Sequence, residues 1–127
     1  MAQALIKVLV VDDNRIIRHL LRLTFSNQAR YEIFEADSGE QALPLVLRER
    51  PDVILLDILM PGELDGVELC KMIKSWEDCR KCKIIFLSGC GQQQDLKLGM
   101  EVGADLYITK PFSPMQLLES VEKLLAT

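Results

Sequence analysis

Four apolar runs in this chain each end in a residue that can carry charge or hydrogen-bond an anion. Asp12-Asp13 follow Ile6 to Val11, Asp57 follows Val53 to Leu56, Ser88 follows Lys83 to Leu87, and Thr109-Lys110-Pro111 close the run that starts at Leu106. If these runs are neighbouring parallel strands, three carboxylates, a hydroxyl and an ammonium converge on one edge of a sheet. Like charges brought together raise one another's pKa values and resist assembly. The simplest relief is a divalent cation, and hard oxygen ligands that leave room for waters suit Mg2+. The residue types therefore point to a magnesium site built by Asp12, Asp13 and Asp57, with Ser88 and Lys110 beside it.

Each residue also has a plainer reading. Asp13 or Asn14 could do no more than cap the helix that starts behind them. Lys110 could be an ordinary surface lysine, although a long cation behind a buried strand is usually paired. Asp57 is harder to explain in this way, because it ends a buried strand and the next helix does not begin until about Asp65. The coincidence of all four strand ends outweighs any one of them.

The elements that must position these groups follow from periodicity. Ile6 to Val11 is a short Val- and Ile-rich run, the pattern of a strand buried on both faces. Further strands are read at Tyr31–Glu35, Val53–Leu56, Lys83–Leu87 and Leu106–Thr109. The spacing predicts helices over Asn14–Ser26, from Ser38 to short of Pro51, from Asp65 to about Trp76, and from Ser113-Pro114 to the end. A weaker helix is expected over about Gln92–Val102, with Gly99 lowering its propensity. Ser38 with Gln41 and Asp65 with Glu68 read as capping boxes, and Pro114 as proline at the first helical position. Five βα units predict an α/β fold, a five-stranded parallel sheet with five helices on both faces. Right-handed crossovers favour the order 2-1-3-4-5, which makes strands one and three neighbours and puts ligands at the carboxyl edge between them.

Composition narrows the function classes. The chain has 127 residues, 49% of them apolar and 27% charged, which fits one globular domain over residues 1–127. Fifteen basic against nineteen acidic residues give a net charge of −4 with no basic cluster, which counts against direct nucleic-acid binding. The apolar start is interrupted by Lys7 and stopped by Asp12-Asp13, too short for a spanning helix, so no membrane association and a cytoplasmic location are expected. Cys70, Cys79, Cys82 and Cys90 are crowded into one third of the chain, unlike a disulfide scaffold. Cys79-Arg80-Lys81-Cys82 has zinc-like spacing, but a structural zinc site needs four ligands and His19 lies far away in the first helix.

At these residues the chain resembles the receiver domains of two-component response regulators, a CheY-like, flavodoxin-like fold. The resemblance is carried by Val10-Val11-Asp12-Asp13, Leu56-Asp57-Ile58-Leu59-Met60-Pro61-Gly62, Leu87-Ser88-Gly89 and Gly103-Ala104-Asp105-Leu106-Tyr107-Ile108-Thr109-Lys110-Pro111-Phe112, and it covers essentially the whole chain. It implies a phosphorelay component rather than a classical enzyme, one that catalyses its own phosphorylation and dephosphorylation. Asp57 would be the nucleophile that takes a phosphoryl group from a sensor histidine kinase or a histidine phosphotransfer protein. Asp13, Asp57 and the backbone carbonyl of Leu59 would hold Mg2+, with Asp12 acting mainly through a bound water. Lys110 would pair with a phosphoryl oxygen, Ser88 would hydrogen-bond the new group, and Tyr107 would turn inward. That change would alter the face of the fourth predicted helix, fifth strand and fifth predicted helix. The Lys110-Pro111 bond is expected to be cis. The partner downstream would be a protein target or a fused output domain.

Two departures from the family pattern stand out. Glu63-Leu64 occupy the place of one residue between Pro61-Gly62 and Asp65-Gly66, which would reshape a loop beside the site. Gly89 replaces a frequent alanine after the switch hydroxyl, which would leave the phosphoryl group open to water and its lifetime short. Two other function classes are weighed. A pure docking module would have lost an acid or the lysine, and this chain keeps them. An aspartate-nucleophile phosphatase of the haloacid-dehalogenase type would carry an acid two residues after the nucleophile, where this chain has Leu59. A P-loop is excluded by the missing glycine-rich turn with Lys-Ser or Lys-Thr.

Overall fold

Strand interiors here sort themselves by parity. In the computed structural model, which describes residues 5–58, 64–79, 81–88, 97 and 100–126, the strands are β1 (Ile6–Val11), β2 (Tyr31–Ala36), β3 (Val53–Asp57), β4 (Lys83–Ser88) and β5 (Leu106–Thr109). Leu9, Val11, Ile54, Leu56, Ile84 and Phe86 face one core, and Val8, Val10, Val53, Leu55, Ile85 and Leu87 face the other. Both faces are thus apolar, as a period of two demands of strands buried on both sides. The sheet is parallel throughout with the order β2-β1-β3-β4-β5, as expected from the sequence.

Helices cover both faces. On one side, α2 (Gly39–Glu49) contributes Ala42 and Val46, and α3 (Gly66–Ser75) contributes Leu69, Cys70 and Ile73. On the other side, α1 (Arg15–Ser26) contributes Leu21 and Phe25, and the C-terminal helix α4 (Pro114–Leu125) contributes Leu117 and Val121. The caps read from the sequence are present: Ser38 accepts from the N–H of Gln41, Asp65 from that of Glu68, and Ser113 from that of Gln116. Gln41 returns its side chain to the N–H of Asp37 rather than that of Ser38. α2 carries Pro44 in its interior and ends where Arg50 takes a left-handed φ of 48°. No helix of the described residues is long and apolar enough to cross a membrane.

The expectation of five helices is corrected. Among the described residues there are four α-helices and one short 3-10 helix, Glu77–Cys79. The helix expected over about Gln92–Val102 falls largely outside the described residues; within it Lys97, Met100 and Glu101 are helical. Its sequence is the weakest helical signal in the chain, with Gly91 before it, Gly99 inside it and no capping Ser, Thr or Asp at its head.

Candidate functional site

The parallel ladder delivers Asp12 directly into the site. Its N–H donates to the Ala36 carbonyl at 3.1 Å, one residue beyond the end of β1. The side chain is buried, and both of its oxygens are engaged: Oδ1 accepts from the Asn14 N–H at 2.8 Å and Oδ2 from Lys110 Nζ at 2.8 Å. Asn14 is the cap of α1, accepting from the N–H groups of Ile16 and Ile17 at 2.9 and 3.3 Å. Asp13 is therefore not needed as a cap and stands exposed at the mouth of the site.

Asp57 ends β3 and is buried. Lys110 Nζ lies 3.8 Å from its Oδ2, so the lysine stands between Asp12 and Asp57 and is closer to Asp12. Asp12, Asp13 and Asp57 each offer a carboxylate oxygen within 4.8 Å of the others. Gly66, the first residue of α3, presses on the backbone of Asp57: a Cβ there would run into the Asp57 carbonyl oxygen and come within 2.8 Å of Ile58 Cα. The start of α3 and the end of β3 can approach this closely because residue 66 has no side chain.

The remaining predicted residues are placed by the sheet. Asp57 is in register with Leu87, so Ser88 stands one residue further along β4, fully buried and paired with Thr109. The Ser88 carbonyl accepts the Lys110 N–H at 2.7 Å, and the Lys110-Pro111 bond is cis. Tyr107 lies opposite Phe86, half-buried against the α2–α3 core. The Leu59 carbonyl, Glu63 and Gly89 lie outside the described residues. Three residues that bear on the site were not singled out from the sequence. They are Gly66, Arg18, whose Nη1 donates to the Asp12 carbonyl at 2.7 Å, and Glu35, whose Oε1 is 3.5 Å from Arg18 Nε. The only sequence signal for Arg18 is its position one turn inside the helix that Asp12-Asp13 introduce.

The donor set fits Mg2+. Three carboxylates each bring an oxygen within 4.8 Å of the others, all are hard oxygen donors, and the adjacent lysine offsets only part of their charge. Among the described residues, Cys70, Cys79 and Cys82 form no comparable centre. Burial pushes the Cys70 thiol up to about 11 and the Cys82 thiol up to about 12, and raises Cys79 as well. Thiols held neutral are poor ligands, since metal binding needs the thiolate. His19 is exposed on α1.

Comparison with known proteins gives a consistent result. The family model described as "Response regulator receiver domain" matches residues 8–122. The transcriptional regulatory protein ResD of Bacillus subtilis is 41% identical over 119 residues, which cover 94% of this chain and 48% of ResD. The phosphate regulon transcriptional regulatory protein PhoB of Pseudomonas aeruginosa is 39% identical over 118 residues, 93% of this chain and 51% of PhoB. The chain thus spans about half the length of these curated relatives. The crystal structure of the Vibrio cholerae chemotaxis protein CheY4 superposes with a TM-score of 0.88 at 31% identity, covering 95% of this chain and 99% of that one.

Proposed function

This chain belongs to the response regulator receiver domains, and from that premise we propose that Asp57 is its phosphoacceptor and that residues 1–127 act as one receiver unit. The observation that carries the reading is the pairing of a buried, strand-ending carboxylate with two further acids and a lysine at 3.8 Å. Family membership supports a sensor histidine kinase or a histidine phosphotransfer protein as the donor.

In the proposed transfer an Asp57 oxygen forms a bond to phosphorus while the phosphorus–nitrogen bond of a phosphohistidine breaks. The imidazole leaves with the electron pair of that bond, and the proton already on its other ring nitrogen makes it neutral. Asp12, Asp13 and Asp57, with the Leu59 carbonyl, would hold Mg2+, which would supply charge neutralisation for the anions brought together. Asp57 is fixed by β3 and by the start of α3, so little reorganisation accompanies the attack; positioning and electrostatics are what phosphoryl transfer chiefly requires. Lys110, already within 3.8 Å of the acceptor oxygen, would move from Asp12 toward a phosphoryl oxygen. Ser88 would bond the new group, and Tyr107, half-buried at rest, would carry the change to the surface of β5 and α4. A phosphoryl group drives such a switch only by interacting differently with two existing states. A downstream protein or a fused output domain would read that surface.

The test is intact-protein mass spectrometry after incubation with acetyl phosphate and Mg2+. One added phosphate is expected on the wild-type chain, with none on Asp57→Asn and none in excess EDTA. Labelling of Asp57→Asn at the wild-type level would move the acceptor elsewhere.

A further inference from the structure

Asp12 is held at four points: its N–H by the Ala36 carbonyl, Oδ1 by the Asn14 N–H, Oδ2 by Lys110, and its carbonyl by Arg18. The first three are a ladder bond, a turn and the site's own lysine. The fourth comes from a half-buried guanidinium that reaches in from α1, with Nη1 at 2.7 Å from the carbonyl oxygen. A second nitrogen of the same fork, Nε, lies 3.5 Å from Glu35 Oε1 on β2, and the other Glu35 oxygen is taken by Arg22. Arg18 therefore links the end of β1 to β2 through one planar group.

The Asp12 carbonyl belongs to the same rigid peptide as the Asp13 N–H. Fixing that carbonyl sets the plane from which Asp13 departs. Asp13 is the exposed acid of the three, with no ladder to direct it. Charge draws Arg18 toward Glu35, but a cation beside a Mg2+ site opposes the ion, so charge cannot make Arg18 support Mg2+ binding. Its contribution must come through geometry.

Building on the function proposed above, we infer that Arg18, braced by Glu35, is a positioning residue for the Mg2+ site. It holds the Asp12–Asp13 peptide so that the Asp13 carboxylate stays within reach of those of Asp12 and Asp57. The two possible effects of Arg18 have opposite signs, which makes them separable.

The experiment measures Mg2+ affinity of the whole chain by isothermal titration calorimetry, without phosphodonor, for the wild type, Arg18→Met and Arg18→Lys. If Arg18 acted through charge, Arg18→Met would bind Mg2+ more tightly and Arg18→Lys would bind it unchanged. The brace predicts that Arg18→Met binds about tenfold more weakly, the scale of losing a partner that orients a metal ligand. Arg18→Lys keeps the charge but cannot fork between the carbonyl and Glu35, so it weakens binding in the same direction. The Asp13 amide resonance should also shift in both variants before Mg2+ is added. Circular dichroism and urea midpoints in EDTA verify folding, and Arg18→Lys carries the test should Arg18→Met fail to fold. Affinity equal to or above the wild type in a folded variant overturns the inference. A wild type that binds Mg2+ but is never labelled at Asp57 overturns the proposed function and leaves the brace standing; one that binds no Mg2+ overturns both.

Discussion

Among the described charged groups, Asp57 has Lys110 as an attractive neighbour and Asp12 and Asp13 as repulsive ones. Lys110 Nζ is 3.8 Å from its carboxylate, while the acids of Asp12 and Asp13 offer oxygens within 4.8 Å. Among these three neighbours the two repulsions outweigh the one attraction when no cation is bound. Asp57→Asn is therefore expected to unfold at higher urea than the wild type when both are in EDTA. The same variant should lose most of the stabilisation that Mg2+ confers on the wild type, which is about 2.7 kcal/mol at a hundredfold excess over Kd. An Asn variant that is less stable in EDTA, or that gains as much from Mg2+, would show that the three acids do not share an ion. At this scale the sequence was highly informative. Asp12, Asp13, Asp57, Ser88 and Lys110 could be placed together because each ends a run of apolar residues, and parallel strands bring such ends to one edge. The cap was open between Asp13 and Asn14, and the structure gives it to Asn14. Arg18 and Glu35 could not be read, because a charge on a helix and another on a strand 17 positions away look like two solvated side chains until the crossover brings them together.

At the scale of elements, the caps, the strand limits and the sheet order were legible because each depends on a local signal: a hydroxyl or carboxylate before a helix, or a short β-branched run between turns. What was not legible depends on contact between elements. Gly66 is an example, since in sequence it is only a glycine at the start of a helix, where alanine would ordinarily be favoured. The atoms its Cβ would meet are the backbone of Asp57 and Ile58, which cannot rotate away. Gly66→Ala should therefore destabilise the fold by about 1–3 kcal/mol, as overpacking does. It should also slow labelling of Asp57 by acetyl phosphate, because either α3 or the end of β3 must shift. Urea unfolding and the labelling rate check this together; an alanine variant as stable as the wild type and labelled as fast would mean that the contact does not position Asp57. The helix count failed for a different reason. Gln92–Val102, a stretch of weak propensity and sparse apolar spacing, lies largely outside the described residues, and the four α-helices are counted over the described residues alone.

At the scale of the whole molecule, the sheet separates two apolar cores, and the titratable groups sealed in them make the fold sensitive to alkali. Cys70, Cys79 and Cys82 lie in the α2–α3 core, and Tyr31 lies in the other with its hydroxyl buried. Burial raises all four above their ordinary values of 9.0 for the thiols and 10.0 for the phenol, to about 11 for Cys70 and about 12 for Cys82. For an acid whose folded pKa is raised, the unfolded chain releases its proton first as pH climbs. The stability these groups contribute is thus whole below about pH 9 and is lost as pH rises toward 11 and 12. Each group in that window lowers the unfolding free energy by at most about 1.4 kcal/mol per pH unit. Urea midpoints of the wild type should accordingly be level from pH 7 to about pH 9 and fall steeply above it. A Cys70→Ala, Cys82→Ala double variant, less stable at neutral pH because it leaves cavities, should show a shallower fall over the same range. The same neutral thiols should resist iodoacetamide at pH 8 in the native protein and react once urea is added. Equal alkaline slopes in the two proteins would mean that Cys70 and Cys82 do not titrate with unfolding, and rapid native alkylation at either residue would mean that the core is open to solvent there.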